Sequence, residues 1–338
     1  MGSLRFRLAP ALVAAGFAGA SGLAAQAPVD PSAVPRAVAM DRSGQRSAAT
    51  EFLGHYLATA PEDGRAWFEL GRFYWLDSRS WHLAGHIGDP PGGLYLDFAA
   101  TALDQAVRLG SDSALVFRAL VEMGRSLIQI EDSGWETTRA GAPVSGYPAL
   151  PGYVSELGIN LVNSCPTNGV IVTGSDLEAV GVWYAVLGSG RRTTVVPILP
   201  ELYAADANYR RGMAQTLGID PETPVVGMLT EVARRRPLCL TPAADSSVAM
   251  GVPWRAIRLV RVAGPVGELT PDGLAVTELL IAGRGSASSW AQETRAVYEA
   301  AGRRNALRCS SILIRSQSES DECSGIVSSD GFGSRASD

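Results

Sequence analysis

SCPTNGVIVTGSDLEAVGVWY, residues Ser164–Tyr184, decides how this chain is built. A proline break leads into a β-branched run, Gly169–Thr173, then a small polar turn, then a helical stretch, Asp176–Leu187, that carries an aromatic pair. Strand, turn and helix in that order make half of an α/β unit. Downstream the pattern repeats, with a second apolar run at Thr193–Leu199 and a second helix at Ala204–Leu217. Two further short strands are predicted at Pro237–Thr241 and Ala256–Val262, separated by a small polar loop, Pro242–Pro253. Strands alternating with helices imply parallel pairing through right-handed crossovers. The expectation is a small three-layer α/β domain over residues 151–265 with a mostly parallel sheet. Helical patterning returns at Leu274–Ile281 and Ser288–Ala301, inside a helical segment over 266–315. The tail over 316–338 is rich in Ser, Gly and Asp, and is expected to be disordered.

Upstream the period changes to that of helices. AATEFLGHYLATAPEDGRAWFELGRFY from Ala48 aligns on AATALDQAVRLGSDSALVFRALVEMGR from Ala99 once a residue is dropped at the turn. Each copy reads as two helices joined by a polar turn, at Pro61–Gly64 and at Gly110–Asp112. Within the first copy, Trp67-x-x-Leu70-Gly71-x-x-Tyr74 resembles the first-helix signature of tetratricopeptide repeats, in which a small residue lets paired helices approach. Phe117 and Leu120 take the places of Trp67 and Leu70 in the second copy. The insertion Ser78–Gly93 lengthens the period. The fold class expected is therefore α plus α/β: tetratricopeptide-like helical hairpins over 41–139, a Gly/Pro/Ser-rich bridge Ala140–Pro151, then the α/β domain. Two repeats are few for a free-standing solenoid, so the hairpins should pack against that domain.

The 338 residues suffice for two cores, and 46% hydrophobic with 19% charged residues is an ordinary globular balance. Net charge −5 argues against nucleic acid as a partner. All 29 basic residues are arginine, which removes Schiff-base, pyridoxal-phosphate and Walker A chemistry, since each needs a lysine amine. At the N-terminus, Arg5 and Arg7 precede an uncharged stretch, Leu8–Ala25, and small residues. This reads as a signal peptide over 1–27, with a retained N-terminal membrane anchor as the alternative, followed by a Pro-rich linker over 28–40. No later segment reads as membrane-spanning. Export to the periplasm or beyond makes Cys165, Cys239, Cys309 and Cys323 disulfide candidates. Cys165 precedes one predicted strand and Cys239 lies in another, so those two can approach; Cys309 and Cys323 are near in sequence.

Leu161–Tyr184 also resembles the soluble region after the last transmembrane helix of bacterial membrane proteins related to protein O-mannosyltransferases. Pro166, Asn168, Thr173, Asp176, Trp183 and Tyr184 match that family's pattern, Glu178 stands near its second acid, and Arg236-Pro237-Leu238-Cys239-Leu240 resembles a later strand. The likeness covers roughly Leu161–Val262. The family's transmembrane region, where sugar transfer would lie, has no counterpart here, and its acidic turn is reduced to Gly174-Ser175-Asp176-Leu177-Glu178. The resemblance implies a soluble α/β module, not the reaction.

Ligands of open α/β sheets lie at the carboxyl ends of strands. Thr173, Ser175, Asp176 and Glu178 are therefore candidate binding residues for a cation or sugar hydroxyls. The plainer reading is that Ser175 or Asp176 caps the helix. No G-x-G-x-x-G follows the strand and no G-x-S-x-G elbow exists, so neither dinucleotide binding nor a serine triad is indicated. His82 and His86 are four apart, but Gly85, Gly88 and Asp89-Pro90-Pro91 suggest a loop, and no metal or cofactor is assigned. Among the aromatics Trp67, Phe73, Tyr74, Trp75 and Trp81, most should be core, while Trp75 and Trp81 are candidates for an exposed recognition groove. The function expected is an exported non-catalytic binding or scaffold protein of the cell envelope, recognising a protein or glycan through the helical repeats. The alternative is a carbohydrate-active or metal-assisted enzyme centred on Asp176 and Glu178.

Overall fold

The structure is a computed structural model and describes residues 30–84, 91–191, 193–245, 251–265, 267–269, 273–283 and 288–304. The signal segment, His86, the Cys309–Cys323 pair and the C-terminal tail lie outside these residues.

Five helices come first: α1 (Ala33–Arg42), α2 (Arg46–Thr59), α3 (Gly64–Leu83), α4 (Pro91–Arg108) and α5 (Asp112–Ser133). Both turns expected inside the repeat copies are present, between α2 and α3 and between α4 and α5. Asp63 caps α3 by accepting from the N–H groups of Arg65 and Ala66, and the Tyr56 hydroxyl donates to the same carboxylate at 2.9 Å. Gly71 allows α3 to lie close on α4, for a Cβ there would stand 2.6 Å from Leu103 Cγ. Gly124 of α5 does the same against Leu96 of α4, at 3.0 Å. The segment expected as an insertion is largely a prolongation of helix: α3 runs through Leu83 and α4 begins at Pro91. Helix α1 also starts inside the stretch expected as a linker. Pro35 is tolerated there because it occupies the first turn, where an N–H has no intrahelical partner.

Next come α6 (Trp135–Ala140) and α7 (Gly152–Ser164), then β1 (Val170–Val172) and α8 (Asp176–Trp183), which runs on as a π-turn over Tyr184–Gly188. Every residue of α8 after Asp176 is buried, which is why the helix shows no polar stripe. Strand β2 (Val196–Ile198) follows, then α9 (Pro200–Ala205), α10 (Ala207–Leu217) and α11 (Val225–Arg235). The single helix expected over Ala204–Leu217 is broken, because Asp206 leaves helical geometry to cap α10 through the N–H groups of Asn208 and Tyr209. The chain then forms β3 (Leu238–Leu240), β4 (Arg255–Ile257), β5 (Val260–Ala263), α12 (Thr277–Gly283) and α13 (Ser289–Arg304).

The strands make one sheet in the order β2-β1-β3-β5-β4. Strands β2, β1 and β3 are mutually parallel, and each is buried along its whole length, as strands covered on both faces must be. Against the expectation of a mostly parallel sheet, it is mixed. Ala256–Val262 is not one strand but parts of two, folded at Arg258 (φ 49°) into a hairpin that pairs antiparallel with β3. The two-residue connection between β4 and β5 cannot make a crossover, so those two strands have to pair antiparallel.

A disulfide joins Cys165, just after α7, to Cys239 in β3, with Cα atoms 5.8 Å apart. A Cβ on Gly169 would lie 2.6 Å from the Cys165 sulfur, so the glycine makes room for the bridge. One continuous apolar core runs from α3–α5 through α7 and α8 into the sheet, and takes in Tyr298 of α13. A smaller cluster unites α1, α2 and the start of α3. The hairpins thus pack on the α/β layer, as a short array requires. Among the described residues no helix is long and apolar enough to cross a membrane.

Candidate functional site

Strand order places β1 between β2 and β3, so the chain leaves β1 and β3 in opposite directions and opens a cleft at their carboxyl ends. The cleft has a volume of about 360 Å³. Its walls come from the residues after β1 (Thr173, Gly174, Ser175, Asp176), those after β2 (Pro200, Glu201), those after β3 (Ala243, Ala244, Asp245), and Arg79 of α3. Gly174 packs against the β3 loop with no room for a side chain, since a Cβ would come within 2.0 Å of the Ala243 carbonyl carbon.

The two acids singled out in the sequence part company here. Glu178 is fully buried. One oxygen accepts from the Thr241 hydroxyl at 2.6 Å and the Gly174 N–H at 3.0 Å, and the other accepts from the Ala243 N–H at 3.0 Å. It holds the β1 and β3 loops together at the switch point. Burial pushes its carboxyl above the ordinary value, against the hydrogen bonds from Thr241, Ala243, Gly174 and Ser175, which pull it down. Ser175 caps α8, its hydroxyl oxygen accepting from the Glu178 N–H. Asp176 turns outward and is 42% exposed in its side chain. The Arg79 guanidinium donates to Asp176 at 2.7 Å and to Glu201 at 2.6 Å, while lying 5.5 Å over the Trp75 ring. Partial burial works against the Arg79 charge, but the two carboxylates outweigh it and raise its pKa. Glu293 of α13 is itself held above the usual carboxylate range by burial, then by the charges of Asp176 and Glu178.

Behind the Arg79 pairs lies a smaller apolar cavity of about 60 Å³, between the helical hairpins and the α/β layer, lined by Trp75, Leu96, Leu120, Leu127 and Leu202 among others. Trp75 is therefore not a groove residue. It is 5% exposed and packs edge-on against Phe117 at 5.4 Å, so the face expected to be open is the one that meets the α/β layer. Trp81 is half-buried near the end of α3. The aromatic pair closing the sequence motif is also structural: Trp183 meets Trp135 edge-on in the core, and Tyr184 packs on Tyr147.

Comparison of the chain with models of known protein families, with characterised proteins and with solved structures finds no match.

Of the predicted residues, the fold brings Thr173, Ser175 and Asp176 to the cleft and withdraws Glu178 beneath it. Arg79 and Glu201 were missed. Glu201 was findable, since Pro200-Glu201 follows a predicted strand at the end where ligands bind. Nothing local marks Arg79, whose partners lie 97 and 122 residues away. His82 lies on α3 rather than in a loop. The arrangement offers hydroxyls, the three carboxylates of Asp176, Glu201 and Asp245, and one guanidinium: groups suited to hydrogen-bonding a polar ligand.

Proposed function

We propose that this chain is an exported, non-catalytic binding protein of the cell envelope that takes a hydroxyl-rich ligand, such as a glycan end, in the cleft at the carboxyl ends of β1, β2 and β3. The observation that carries this reading is the divergence of the two acids. A pair of catalytic carboxylates would have to face one reacting bond. Here Glu178 spends both oxygens on the scaffold, and Asp176 answers to Arg79. The cleft is polar at its rim, and carboxylates with a guanidinium between them suit sugar hydroxyls. A buried disulfide supports an oxidising compartment, and so does the apolar N-terminal segment. The helical hairpins, read as tetratricopeptide-like, would then serve to carry Arg79 to the cleft. The likeness of Leu161–Tyr184 to mannosyltransferase-related membrane proteins favours a setting beside surface glycosylation. Calorimetric titration with a panel of envelope oligosaccharides tests the reading. Binding lost in Asp176→Asn and Arg79→Ala supports it; turnover of a glycoside abolished by Asp176→Asn would overturn it in favour of an enzyme.

A second reading, a protein partner, is favoured by one observation. Leu94 and Phe98 are exposed one turn apart on α4, at 52% and 44%, with Tyr74 against Phe98. Affinity capture from envelope extracts with the wild type and with Phe98→Ser separates the two readings.

A further inference from the structure

Away from the cleft, three metal-ligating side chains meet where the helical hairpins join the α/β layer. His82 stands in the last turn of α3, Glu131 near the end of α5, and Asp206 at the cap of α10. One ligand atom from each lies within 4.8 Å of the other two. The His82 Nδ1 atom and Glu131 Oε1 are 3.5 Å apart. That is long for a charge-assisted hydrogen bond, which closes to about 2.8 Å. It matches the separation of about 3.4 Å between two ligands on one tetrahedral ion with bonds near 2.1 Å.

The hydrogen-bond inventory points the same way. Glu131 Oε1 is out of contact with solvent and receives no hydrogen bond among the described residues. A carboxylate oxygen left in that state is costly, and a bound cation is one of the few things that relieves it. Asp206 caps α10 through Oδ1 alone, at 2.8 Å to each of two N–H groups, so its second oxygen is available. Gly92 of α4 gives the imidazole its place, because a Cβ there would lie 3.1 Å from His82 Nε2. The three groups come from separate parts of the chain, so they converge only in the folded protein.

We propose that His82, Glu131 and Asp206 bind a first-row divalent cation, Zn²⁺ foremost, which ties α3 and α5 to the start of α10. One imidazole with two carboxylates is a donor set that suits such ions. The ion stabilises the native state because the unfolded chain has no such site. The proposal does not depend on what the cleft binds.

The test is titration of the chelator-treated full chain with Zn²⁺ by calorimetry, with Co²⁺ absorption as a coordination probe. One ion per chain is expected, with a melting temperature raised by a few degrees. His82→Ala and the isosteric Glu131→Gln should each weaken Zn²⁺ binding more than about a hundredfold, beyond what loss of a group merely supporting a ligand costs. The exposed His55→Ala and the cleft variant Arg79→Ala should bind Zn²⁺ as the wild type does. No Zn²⁺ binding at tens of micromolar, or binding that survives in Glu131→Gln and falls in His55→Ala, overturns the proposal.

Discussion

Gly158 of α7 and Gly181 of α8 meet backbone to backbone: a Cβ built on Gly158 would lie 2.0 Å from the Gly181 carbonyl oxygen. This contact sets how closely two of the most buried helices cross. The obstacle to a side chain is main chain, which cannot swing aside. Gly158→Ala is therefore expected to destabilise the fold by about 3 kcal/mol or prevent it. Gly181→Ala, whose methyl would meet Gly158 Cα at 3.1 Å, should cost clearly less. Urea midpoints of the two variants check the order.

Glu178 gives the stability curve a pH slope of definite sign. Its carboxyl is raised in the fold, burial being the first cause, so the native state holds the proton more tightly than the unfolded chain does. The contribution favours the fold most below the ordinary value of 4.5 and is lost as pH rises through the folded value. Replacement by Gln sets an amide N–H₂ against donors that now find an acceptor, costing about 1–3 kcal/mol. The advantage of wild type over Glu178→Gln should thus be largest in acid and shrink toward neutrality, measured as the difference in urea midpoint across that range.

The bridge between Cys165 and Cys239 closes a loop with a sequence separation of 74. Chain-entropy reasoning gives about 4 kcal/mol for a loop of that size. Reductant, or the double Ser variant, should lower the urea midpoint accordingly, and mass mapping of an unreduced digest should find the two peptides joined. An unlinked pair in protein from an oxidising compartment would contradict the arrangement.

Arg79 ties α3 to two loops of the α/β layer, yet its partners are 42% and 52% exposed. Each pair is accordingly worth only about 0.2–1 kcal/mol. A double-mutant cycle of Arg79→Ala with Asp176→Asn should return a coupling energy in that range, falling as salt is added.

Much of this architecture is legible before any coordinates. The polar turns of the helical copies and the three parallel strands follow from period and from proline and glycine. Each is a local signal. The β4–β5 hairpin was hidden because Arg255–Ala263 alternates without the Gly or Asn that announces a tight turn; Arg258 takes the positive φ instead. Helix α7 was missed beside a bridge rich in Gly and Pro, and α11, which ends in Arg234 and Arg235, was not predicted at all. Glu178 was chosen for its charge, but its role is set by the Thr241 hydroxyl and the Ala243 amide, which only the sheet brings near. Trp75 shows the same limit: its burial depends on Phe117, 42 positions away by sequence numbering.

The core that runs unbroken from the early hairpins to the last helix bears on how the polypeptide matures. Phe117 of α5 meets Trp290 of α13 at 6.0 Å between ring centres. A chain emerging in order from its N-terminus must leave that early surface uncovered until almost everything else has been delivered. Assembly should accordingly be slow and concerted rather than stepwise, and vulnerable to association in the interval. A chain of this design has reason to depend on helper proteins that shield that surface.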